Sequence, residues 1–271
     1  MVMIKKQGVG MERKVDELRY APRTDLSVFN EFDFPRPPVG VKFLFFKPEG
    51  MRQLPLDKEL SFCELLVEAQ NSKEPFYFSR DNRETCVGKF LLGMEEMAPF
   101  AESGQIGPRL GIFQEPRANS VLYQYIPRFE RNVVNYVAFS RLDAMSFDPD
   151  VLIITSTTSQ AEVVLRAMTY STGALYTSKS SVVMGCAWVY IYPFMKRKVN
   201  FVIPDLVHGM RARRLFPEGS LLISIPYNWL PIVVQNLKTM KWELPSYRSK
   251  ERYLEEFQRV LETLAKEAAN P

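Results

Sequence analysis

Three prolines, Pro35, Pro37 and Pro38, stand directly before the run Val39-Gly40-Val41-Lys42-Phe43-Leu44-Phe45-Phe46. Proline lacks a backbone N–H and pushes its predecessor out of the helical region, so a helix cannot occupy this stretch. Val39, Val41, Phe43 and Phe45 alternate with Gly40, Lys42, Leu44 and Phe46, and only Lys42 among these eight is charged. A strand apolar on nearly both faces belongs in a sheet that is covered on both sides. Pro48 and Gly50 end it. The rest of the chain must therefore supply helices for two faces of a sheet.

It does so in the expected pattern. Asp148-Pro149-Asp150 punctuates the chain before Val151-Leu152-Ile153-Ile154-Thr155, a buried strand. The hydroxyls of residues 156–159 can cap a helix over residues 160–170, whose Val163, Val164, Ala167 and Met168 recur at helical spacing. Strand, tight turn and helix make the basic α/β unit. Further strands are predicted over residues 76–78, 133–139, 189–192, 200–203 and 221–225. Helices are predicted over residues 57–70, capped by Asp57, over residues 95–102, and from an Asn228 cap to Met240 with Pro231 in the first turn. A last helix carries Tyr253, Phe257, Val260, Leu261, Leu264 and Ala268 on one face. The expectation is a single compact α/β or α+β domain, a mixed sheet flanked by helices. Residues 1–35 read as an arm packed on the outside, with a short helix through Val15, Leu18 and Tyr20. Residues 36–245 read as the core and residues 246–271 as the C-terminal amphipathic helix.

The 271 residues are 46% hydrophobic and 13% aromatic, enough for a real core, which excludes general disorder. A net charge of +4 is lower than a dedicated nucleic-acid binder requires. Residues 1–20 hold no apolar leader segment, and the uncharged stretches at 180–195 and 219–237 are interrupted by Gly185, Pro193, Pro226 and Pro231. A cytoplasmic protein with no membrane segment is expected. Its three cysteines are an odd and small number, so a disulfide framework is not expected.

Those cysteines are Cys63, Cys86 and Cys186, far apart and without a Cys-x-x-Cys pair. Cys86 and Cys186 have glycine close by, at Gly88 and Gly185, where backbone can approach a bulky inorganic group. Three thiolates can hold three irons of a [4Fe-4S] cluster and leave the fourth open to a small molecule. The same three with His208, the sole histidine, would make a closed Cys₃His zinc site. The bland alternative is three buried thiols in a metal-free protein with no cofactor. His208 and Glu64 are the candidate proton-transfer residues. Arg211 and Arg213 are the candidates for holding an anionic small molecule, since guanidinium forks suit carboxylate and phosphate. The basic run that also includes Lys196, Arg197, Lys198 and Arg214 otherwise reads as solvated surface. A nucleic-acid or partner-binding module is a third reading, and oligomeric state is left open.

The ordered set RPPVGVKFLF, FCELLVEAQ, ETCVGKFLLG, DPDVLIIT, MGC, PDLVHGMRAR and LLISIP resembles the domain-of-unknown-function 169 family, the ArCR proteins of archaea and bacteria. The resemblance spans about residues 36–240. It implies no catalytic residues. Where members often carry a second glycine after the middle cysteine, this chain has Lys89.

Overall fold

The proline-led stretch forms β1 (Arg36–Leu44), which takes in Pro37 and Pro38 and is the central strand of a seven-stranded sheet. The other strands are β2 (Arg52–Gln53), β3 (Phe76–Ser79), β4 (Tyr136–Arg141), β5 (Val151–Ser156), β6 (Asn200–Val202) and β7 (Leu221–Pro226). Their order across the sheet is β2-β3-β4-β1-β5-β7-β6. β2 and β3 run parallel, and the remaining neighbours pair antiparallel. The sheet is mixed and the fold is α/β. The structure is a computed structural model and describes residues 24–269. The predicted helix through Val15, Leu18 and Tyr20 lies outside the described residues.

The helices that frame the site and the two cores are α1 (Phe62–Asn71), α2 (Thr158–Tyr170), α3 (Tyr192–Lys196), α4 (His208–Ala212), α5 (Leu230–Thr239) and α6 (Lys250–Ala269). Side chains alternate across a strand, so β5 divides its apolar residues between the two faces. Val151 and Ile153 join one core with α1 and the Cys186 segment. Leu152 and Ile154 join the other, with α2 and α5. Both faces are covered, as β1 and β5 demand. Gln70 of α1 donates to the Thr155 hydroxyl of β5 at 2.9 Å, which fixes α1 over the first face.

Four local expectations are corrected. Asp57 does not cap α1. Ser61 does, in a reciprocal capping box with Glu64, and the helix starts at Phe62. Residues 189–192 are not extended: a π-helical stretch, Ala187–Ile191, runs directly into α3. Residues 186–191 are all buried, so the apolar alternation had no solvent face to register against. α5 takes Trp229 at its cap, with Pro231 in its first turn. The Asn228 side chain donates instead to the Arg197 carbonyl at 3.4 Å. Finally, the end of the N-terminal arm is not an outer layer, because Leu26, Val28 and Phe29 are buried in the second core. Among the described residues, no helix is long and apolar enough to cross a membrane.

Asn200 of β6 holds the π-helical stretch in place. Its side chain is fully buried. It accepts from the Lys179 amide at 2.8 Å and donates to the carbonyls of Lys179 at 3.0 Å and Trp188 at 2.9 Å. Removing it strands the buried Trp188 carbonyl, which costs about 1–3 kcal/mol, and loses two part-buried bonds to Lys179. Asn200→Ala is expected to lower stability by about 2 kcal/mol in urea unfolding with an unchanged slope. A loss under about 0.5 kcal/mol would show that the segment is held by packing alone.

Candidate functional site

Cys63 sits in the first turn of α1, placed there by the Ser61 cap. The Ser61 hydroxyl accepts from the Glu64 amide at 3.3 Å, and the Ser61 amide donates to Glu64 Oε2 at 2.7 Å. Glu64, expected as a proton-transfer residue, therefore spends one carboxylate oxygen as a cap. The same oxygen faces Arg213 Nε at 3.8 Å.

Cys86 lies in the loop that enters a single helical turn, Gly88–Leu91. Glu84 shapes that loop. Its two carboxylate oxygens accept from the Gly88 amide at 2.6 Å and the Lys89 amide at 2.8 Å. Burial pushes the Glu84 carboxyl above the usual range, and those two amides counteract it. Sequence reasoning missed Glu84. An acid four residues before the glycine of a short turn was the available signal.

Cys186 follows Met184, whose φ of 57° is left-handed, and starts the π-helical stretch. It is buried. Gly185 beside it is pressed against α4: a Cβ there would lie 2.7 Å from a Val207 methyl and 2.9 Å from the Met210 methyl. Gly88 is similar, since its Cβ would lie 2.5 Å from that of Phe62 and 2.6 Å from Glu84 Oε1. Both glycines admit protein rather than an inorganic group, which corrects the reason given for them from sequence.

The three cysteine segments meet around Phe62. Its ring lies edge-to-face with Tyr190 at 4.7 Å between centroids. Its carbonyl accepts from the Tyr190 hydroxyl at 3.2 Å. Its Cβ faces Gly88. Gly88, two residues after Cys86, and Tyr190, four after Cys186, thus both contact Phe62, the residue before Cys63. The thiols themselves act on one another. Cys63 is close enough to Cys186 to be the largest cause of its raised pKa, followed by burial. The Cys86 thiol is pushed up to about 12, first by desolvation, then by Cys186 and Glu84. Cys86 nevertheless has open surface, so water moderates the effect. Tyr190, also missed from sequence, is buried against Cys63 and Cys186, and its hydroxyl pKa is raised by burial and then by both thiols.

Arg213 is the basic residue at this site. It reaches Glu64 and donates to the Thr85 carbonyl at 3.4 Å, tying α4 to the first turn of α1 and to the Cys86 loop. Arg211 and His208 lie elsewhere. They line an open groove of about 880 Å³ with Asp205, Arg214, Phe216 and Glu218. The Cys₃His set expected for zinc is not assembled. Among the described residues, no group of three or more His, Cys, Asp or Glu stands at single-ion distances.

A family model described as the uncharacterised ArCR proteins, domain of unknown function 169, matches residues 30–236. The chain belongs to the domain-of-unknown-function 169 family. No curated protein and no solved structure matches it. The family match takes in all three cysteines, Glu84, Tyr190 and Arg213, and stops before α6. The sheet and the three cysteines lie within the matched residues, while the last helix is not part of the match.

A thiol pKa raised from 9.0 to about 12 leaves Cys86 almost wholly protonated at pH 8. Only the thiolate is nucleophilic, so alkylation by iodoacetamide should be slower than for an unhindered cysteine despite the exposure of Cys86. The rate should keep climbing as pH rises past 9.0, about tenfold per unit. The sign for stability follows: the folded state holds this proton while the unfolded chain releases it, so stability is present below pH 9.0 and declines as pH rises towards 12. An alkylation rate that levels off near pH 9.0 would contradict this environment.

Proposed function

We propose that Cys63, Cys86 and Cys186 are the protein ligands of a [4Fe-4S] cluster, with one iron left free of protein thiolate. The observation that carries this reading is the meeting of the three cysteine segments at Phe62, with Cys186 interacting with both other thiols. Two further features support it. The Cys86 and Cys186 thiols have raised pKa values and no histidine beside them, which suits metal ligands better than a cysteine nucleophile needing an activating base. Iron in their midst would supply the positive charge that stabilises thiolates. When bound, such a cluster supplies a Lewis-acid iron for small-molecule dehydration or desulfuration, or an electron-transfer centre.

The chain's own residues have definable tasks in this reading. Glu84 holds the Cys86 loop through the Gly88 and Lys89 amides. Tyr190 locks the Cys186 segment to the first turn of α1. Arg213 places a guanidinium beside Cys86, where it offsets negative charge. A cavity of about 490 Å³, reached two residues beyond Gly88 at Phe90, is lined by Glu95, Glu96, Glu130, Arg128 and Arg131 and is the candidate small-molecule pocket. Three free thiols and a cluster require a reducing setting, which agrees with a cytoplasmic location.

A second reading draws on the groove of His208, Arg211 and Arg214. Three basic groups on one open surface suit a small anionic metabolite, bound without metal and away from the thiols.

Anaerobic purification or reconstitution is expected to give a brown protein with about four irons and four sulfides per chain. Cys63→Ser, Cys86→Ser and Cys186→Ser should each lower the iron content at least severalfold. Wild-type protein that retains no more iron and sulfide than the triple serine variant would overturn the proposal.

A further inference from the structure

The C-terminal helix is poorly matched to the body it belongs to. α6 packs against the short turn Pro245–Tyr247 just before it. Tyr253, Leu254, Phe257, Val260, Leu261 and Leu264 each keep between 46% and 55% of their surface open. These residues are ordered, not scattered. Leu254, Leu261 and Ala268 recur every seven residues, with Phe257 and Leu264 between them at steps of three and four. That is the seam of a coiled coil, and Tyr253 and Val260 widen it on one side.

We propose that α6 is a homodimerisation helix, its seam covered by the same helix of a second copy. Three observations select this occupant. The first is area. Half-exposed aromatic and large aliphatic side chains offer on the order of 100 Å² each. Six of them supply roughly 600 Å² a side, close to the ~800 Å² per partner of a standard specific interface and at the upper limit of what a monomer leaves open.

The second is charge. An isologous interface sets a surface against itself, so like charges along the seam would repel. From Tyr253 to Ala265 the seam and its inner flanks, Gln258 and Ala265 on one side and Tyr253 and Val260 on the other, are uncharged; Lys250, Glu251 and Glu267 stand only at its two ends. The other ionic groups lie on the opposite face, where Arg252 pairs with Glu255 at 3.4 Å. The third is what that opposite face excludes. It carries Arg252, Arg259 and Lys266 against Glu255, Glu256 and Glu262. A helix that lies on an anionic membrane needs a polar face rich in Lys and Arg, and this one is balanced in charge.

Two heptads make a short seam, so the dimer should dissociate in the micromolar range. The inference does not depend on the thiol site.

Sedimentation and light scattering of the full chain across the micromolar range test it. The expected result is a mass that doubles with concentration. Leu261→Glu places a carboxylate in the seam and should raise the dissociation constant at least tenfold. Leu254→Ala with Leu264→Ala keeps helix propensity and should weaken the dimer in the same direction, which separates lost pairing from lost helix. Arg259→Ala on the opposite face should leave the mass profile unchanged. A wild-type chain that stays monomeric at high micromolar concentration would overturn the proposal. So would a dimer that survives Leu261→Glu, or vesicle binding by the monomer that Leu261→Glu abolishes.

Discussion

The contact between the Phe62 side chain and its four neighbours, Phe78, Phe139, Tyr190 and Gly88, organises the thiol side of this protein. Phe62 is buried at the first turn of α1 and meets Phe78 of β3 and Phe139 of β4 edge-to-face at 6.1 Å and 5.8 Å. Those contacts anchor it to the sheet. Tyr190 and Gly88 then anchor to it. Three segments that are remote in sequence are thereby referred to one rigid point, and each delivers a cysteine beside it. Aromatic edges of this kind contribute about 1 kcal/mol each beyond simple burial, and their geometry is directional. The site is accordingly held by packing and backbone hydrogen bonds, not by the thiols themselves.

This arrangement explains why the polar residues around the thiols are mostly carboxylates and carbonyl acceptors in structural roles. Glu64 caps α1 and Glu84 caps the turn after Cys86. Arg213 bridges the two segments. These groups fix the segments that carry the sulfurs, and burial keeps the Cys86 and Cys186 thiols protonated. The histidine and Arg211, which would suit turnover, face a separate groove.

Much of the fold was legible in the sequence because it rests on short-range rules. Pro35, Pro37 and Pro38 and the apolar run after them set β1, and the apolar run at 151–155 set β5. The capping signal near residue 157 and the apolar spacing after it set α2. Where a residue pair was overlooked, as with Ser61 and Glu64, the signal was present and local. The π-helical stretch was not legible. Burial on every side removed the contrast that periodicity needs, and a strand and a buried helix then read alike.

The site divides in the same way. Sequence determined which atoms are available: three thiols, one histidine, a cluster of arginines and an amphipathic last helix. Tertiary structure decided which of them meet. On α4, Val207, just before it, and Met210 turn towards Gly185, His208 and Arg211 turn to the groove, and Arg213, just past its end, turns back to Glu64. Residues a few places apart on one short helix are sent in different directions by the 3.6-residue turn, and which direction faces the thiols depends on how that helix docks. Docking is set by contacts across more than a hundred residues of chain, and no local pattern encodes them.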